Sequence, residues 1–81
     1  MAHLTPIFSG KLNDDCYLFT LKVVDVVSLQ SVDVGTIIIN SKTDNTQLMI
    51  DNLSRKSIED KLLKKAIEDC KTTVEEIQKI L

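Results

Sequence analysis

Hydrophobic spacing divides the chain into a first part that alternates every second residue and a last part that repeats every three to four. The longest apolar run, CYLFTLKVVDVV at 16–27, predicts the central strand. Tyr17, Phe19, Leu21 and Val23 fall on one of its faces. Leu18, Val24 and Val26, with Thr20 and Lys22 between them, fall on the other, so both faces are at least partly covered. Upstream, 1–5 reads as a frayed start and Pro6 as the opening of an edge strand over 7–12, where a missing N–H does no harm. Gly10 inside that strand predicts a bulge or the close approach of another backbone. Asn13-Asp14-Asp15 has the composition of a hairpin turn, which pairs the first strand antiparallel with the central one.

After Val27, the residues 28–31 interrupt the pattern and read as a turn. Alternation returns at Val32, and the β-branched run Thr36-Ile37-Ile38-Ile39 predicts a third strand that ends at Asn40. A second turn-rich tract covers 41–46. The short apolar segment 47–51 is preferred as a fourth strand completing a meander, with one helical turn capped by Asn45 as the alternative.

From Ser54 the period becomes helical. Ile58, Leu62, Leu63, Ala66, Ile67 and Cys70 gather on about half of a helix circumference, and Ser57 with Asp60 resembles a capping box. A second box, Thr73 with Glu76, follows two adjacent β-branched residues and places a break near Lys71. Against the break, no Gly or Pro marks a stop, and Leu63, Ile67, Cys70, Val74, Ile77 and Leu81 form a heptad-spaced seam that runs through it. The break is the preferred expectation. The fold class is therefore α+β, a three- or four-stranded antiparallel meander followed by one or two C-terminal helices on one face, in a single domain over 1–81. Its β-rich part covers 1–53 and its helical part 54–81.

Composition narrows the function classes. At 81 residues the core is small, and with Phe8, Tyr17 and Phe19 as the only aromatics it must be filled by Val, Ile and Leu. The net charge of −2 gives no general footprint for nucleic acid or membrane. No stretch has the charged and apolar regions of a signal peptide or the length of a transmembrane helix, so a reducing cytoplasm is the expected location, with Cys16 and Cys70 as free thiols.

Catalytic constellations are hard to assemble. His3 is the sole histidine and sits near the chain start, so neither Cys nor Ser has a base beside it. Three Cys and His residues scattered over the chain make no zinc set, Asp14-Asp15 and Asp44-Asn45 lack the EF-hand pattern, and Gly10 and Gly35 are too far apart for a phosphate loop. No cofactor or metal is expected. Asp25 and Asp33 interrupt apolar strands and could pair across a hairpin, but edge protection explains them as well.

The resulting expectation is a non-enzymatic protein-protein interaction module, a small regulator, adaptor or inhibitor that docks on another protein or on its own copy. Stand-alone regulators of phages and other mobile elements share this profile. The expected contact is the seam of Leu63, Ile67, Cys70, Val74, Ile77 and Leu81, because a stripe of that length exceeds what one small sheet shelters. The alternative is a nucleic-acid regulator that presents Arg55, Lys61, Lys64, Lys65 and Lys71. Asp60 and Glu68 lie among Lys61, Lys64, Lys65 and Lys71 on the outer face and offset half of their charge.

Overall fold

A computed structural model of the chain describes residues 2–80. Strands β1 (Ala2–Lys11), β2 (Cys16–Asp25), β3 (Ser31–Asn40) and β4 (Thr46–Ile50) precede helices α1 (Asn52–Ser57) and α2 (Asp60–Ile80). The sheet is an antiparallel meander in the order β1-β2-β3-β4, with α2 packed across β1 and β3. The α+β meander expected from the spacing is thus present, with the fourth strand rather than the alternative helical turn.

The core lies between one sheet face and α2. Tyr17, Phe19 and Leu21 alternate into it from β2 as their period requires, joined by Val34, Ile37 and Ile39 from β3 and by Leu63, Ala66, Cys70 and Val74 from α2. Phe8 from β1 meets Phe19 edge-on at 5.5 Å between ring centres and Tyr17 at 6.2 Å. Its neighbour Lys11 places Nζ 5.1 Å above the Tyr17 ring.

Two bulges adjust the alternation. On β1 the pairing shifts between Phe8 and Gly10, leaving Ser9 as the extra residue, and Gly10 takes φ +131°, as its place in an apolar strand predicted. On β3 the register passes from Leu21 opposite Gly35 to Lys22 opposite Asp33, with Val34 inserted between. That insertion brings Val34 onto the buried face alongside Ile37 and Ile39, although its parity differs from theirs.

Three local expectations are corrected. β1 begins at Ala2, not at residue 7, because His3, Leu4 and Thr5 pair with Val24, Val23 and Lys22. Cross-strand pairing holds what looked like a loose start. Secondly, α2 runs unbroken from Asp60 to Ile80, so there is no break near Lys71. Thr73 is accommodated by turning Oγ1 back to the Asp69 carbonyl at 3.0 Å. The break falls earlier instead, at Ile58, where the backbone is extended. Thirdly, Ser57 does not cap α2, since its hydroxyl donates to the Ser54 carbonyl, while the Glu59 carbonyl accepts from the Leu62 and Leu63 amides. Asp51 caps α1, accepting from the Ser54 amide at 2.8 Å and hydroxyl at 2.7 Å, and these bonds hold its carboxyl below the usual range.

Candidate interaction surfaces

The seam expected to meet a partner faces inward. Leu63, Cys70 and Val74 are enclosed against the sheet, and Ile67 and Ile77 pack at the margin of the same core. Leu81 lies outside the described residues. The reason is length: the 21-residue helix runs about 32 Å, and ten-residue strands run about 33 Å, so the sheet is long enough to shelter the stripe. Only on β1, read as 7–12, was that length hidden in the sequence.

Enclosure also fixes the chemistry of Cys70. It is fully buried, and loss of solvent, with a smaller contribution from Asp69, pushes its thiol up to about 12 from an ordinary 9.0. Folding therefore favours the protonated thiol. Its contribution to stability is intact below pH 9.0 and is lost as the pH climbs toward 12, at up to about 1.4 kcal/mol per pH unit. Urea titrations at pH 9, 10 and 11 are expected to show a steeper loss for the wild type than for Cys70→Ala; parallel slopes would contradict the assignment.

The basic face is largely neutralised. Arg55 is paired with Asp60, Lys61 with Glu59 at 3.3 Å, Lys65 with Asp69 at 3.4 Å and Lys71 with Asp44 at 3.7 Å. Lys64 is exposed on the same helix. Four of these five cations thus share their charge with a neighbouring carboxylate, which leaves little excess to displace counterions from a phosphate backbone.

The two strand acids do not converge either. Asp33 sits opposite Lys22 and binds its ammonium at 2.8 Å, while Asp25 bonds the turn that follows it; both are exposed. Among the described residues no group of three His, Cys, Asp or Glu side chains could hold a metal, and no helix is long and apolar enough to cross a membrane.

What sequence reasoning missed is the β2–β3 turn. β2 and β3 extend beyond the last pair made by β4, Gly35 with Ile50, and end in the loop 26–30. Val27 is 85%, Leu29 77% and Val32 64% exposed, with Val26 partly exposed beside them. Exposed apolar side chains scattered singly need no explanation, but four within seven consecutive positions concentrate apolar exposure at this turn.

The loop is held in shape by polar atoms. The Asp25 side chain accepts from the amides of Val27 at 2.9 Å and Ser28 at 3.4 Å, the Asp25 carbonyl accepts from Leu29 at 2.8 Å, and the Asp25 amide donates to Gln30 at 2.9 Å. The β3–β4 turn repeats this frame. There Asn40 accepts through its side chain from Lys42 at 2.9 Å and Thr43 at 3.1 Å, its carbonyl accepts from Asp44 at 2.9 Å, and its amide donates to Asn45 at 2.9 Å. Both loops close on a residue with φ +61°, Asp44 in one and Leu29 in the other.

Left-handed backbone suits Asp, whose short polar side chain tolerates it, and costs an aliphatic residue about 1–2 kcal/mol. Leu29 thus occupies a position that local energetics would give to Gly, Asn or Asp, and it points an apolar side chain at solvent from there. Comparison of the chain with protein-family models, with curated proteins and with solved structures returns no match in any of the three.

Proposed function

We propose that this protein is a non-enzymatic interaction module, a small regulator, adaptor or inhibitor that docks the β2–β3 hairpin tip into an apolar pocket on a partner protein. One observation carries the reading: Leu29 is held exposed in a left-handed conformation within a turn whose twin carries Asp at the same place. Backbone strain of this kind persists where the side chain it presents has a use. Asp25 flanks the tip, and its charge disfavours an anionic lipid surface or a nucleic acid as the occupant. Two free thiols are in keeping with a reducing cytoplasm as its location. Self-association, the other expectation of the sequence, needs a surface other than the inward-facing seam.

The test compares wild type with Val27→Asp as baits in extract of the native cell, with retained proteins identified by mass spectrometry. A protein held by the wild type is expected to fall at least tenfold with Val27→Asp, as loss of a central apolar contact costs about 2 kcal/mol or more. Thermal stability is expected to be unchanged, because Val27 makes no core contact. Undiminished retention of every specific protein would reject the tip as the docking surface.

A further inference from the structure

The two edges of the sheet are not equivalent. At the ends of the β3–β4 ladder the Asn40 amide donates to the Asn45 carbonyl and the Asp51 amide to the Val34 carbonyl. Since bonded and non-bonded pairs alternate along an antiparallel ladder, Asn45, Gln47, Met49 and Asp51 turn their main-chain groups toward β3. Thr46, Leu48 and Ile50 therefore direct N–H and C=O away from the sheet. On the opposite edge the same reasoning from the Leu12–Cys16 bond turns Leu4, Pro6 and Phe8 outward. Pro6 has no N–H to offer, and the bulge at Ser9 bends the strand just beyond it.

The β1 edge is thus blunted, whereas β4 carries no proline, lysine, glycine or bulge. We propose that β4 pairs with β4 of a second copy, antiparallel about a twofold axis at Leu48. The strand is self-complementary in that register. Leu48 meets Leu48, Thr46 meets Ile50 and Gln47 meets Met49, so no like charges face one another. The outward groups supply two hydrogen bonds at the Leu48 pair and two at each Thr46–Ile50 pair, six in all. Side-chain parity agrees, because Leu48 shares the helix-side face with Ile37 yet remains partly exposed, since α2 packs over β1 and β3. A second Leu48 fills that strip.

The inference rests on main-chain geometry and is independent of the hairpin tip. A five-residue pairing buries less than a standard interface, so the dimer is weak and its population follows concentration. Sedimentation equilibrium from low micromolar to millimolar protein is expected to show the average mass rising toward that of two chains. Leu48→Lys, which brings two ammonium groups together on the axis, is expected to weaken association at least tenfold. Ile7→Lys, on β1, is expected to leave it unchanged. In a Cys16→Ser background, Leu48→Cys is expected to form a disulfide dimer under mild oxidation and Gln47→Cys to form little. A wild type that stays monomeric to millimolar concentration, a dimer indifferent to Leu48→Lys, or cross-linking no better at 48 than at 47 would each overturn the proposal.

Discussion

Gly35→Ala is expected to remove about 3 kcal/mol of stability, the upper end of what overpacking costs. A Cβ at this position would lie 2.2 Å from the Met49 carbonyl oxygen and 2.9 Å from the Ile50 Cα, both of them main-chain atoms that cannot rotate away. The β4 backbone would have to retreat, and the pairs Gly35–Ile50 and Thr36–Met49 would open with it. For a domain of this size such a loss lowers the midpoint of thermal unfolding by roughly 12–24 °C. Circular dichroism melting of the variant checks it. A drop of less than about 1 kcal/mol would mean that β4 does not cross Gly35 this closely.

The second large effect separates the two readings of the helix. If Val74 lined a dimer seam, Val74→Asp would leave a folded monomer. In the structure Val74 is 3% exposed between α2 and the sheet, and the cleft beside it is bounded by Ile39. A carboxylate at this buried position loses most of its hydration, offset only in part by Lys71, which lines the same cleft together with Asp44, Glu68 and Glu75, so the expected loss is about 3 kcal/mol or more, a large share of the total for 81 residues. Urea denaturation should find the variant largely unfolded or close to its midpoint without denaturant. A stable, cooperatively folding Val74→Asp chain would return the seam to the surface.

Much of the architecture was legible because it follows from periodicity. The alternation of Tyr17, Phe19, Leu21 and Val23 is set by the pleat alone, and it locates the central strand and its buried face. The turn clusters at 13–15 and 41–46 announce hairpins through side chains that bond their own backbone, and Gly10 marks a bulge. What failed to appear depends on contacts distant in sequence. His3, Leu4 and Thr5 become strand only when β2 lies beside them, and Gly35, the one signal beside Val34, does not say which residue is inserted into the core.

The helix was misjudged because local rules against Thr72-Thr73 were set against a continuous seam, and burial decides that contest. The exposed hairpin tip was obscured in a different way. Val26 and Val27 extended the apolar run of β2, and Leu29 sat in an apparently polar interruption. A usable signal was present, since 25–30 and 40–45 share an Asx residue followed four positions later by the left-handed one. Aligning the two turns would have exposed Leu29 as the residue out of place.

On the proposed reading Leu29 is kept for recognition at a cost to the fold, and replacing it by glycine separates the two effects. Glycine takes φ +61° without strain, so after allowance for its freedom in the unfolded chain, Leu29→Gly is expected to gain about 0.5–1 kcal/mol in urea denaturation. The same variant is expected to bind the partner captured by the wild type at least tenfold more weakly in titration calorimetry. A glycine variant that binds as well as the wild type would contradict the account.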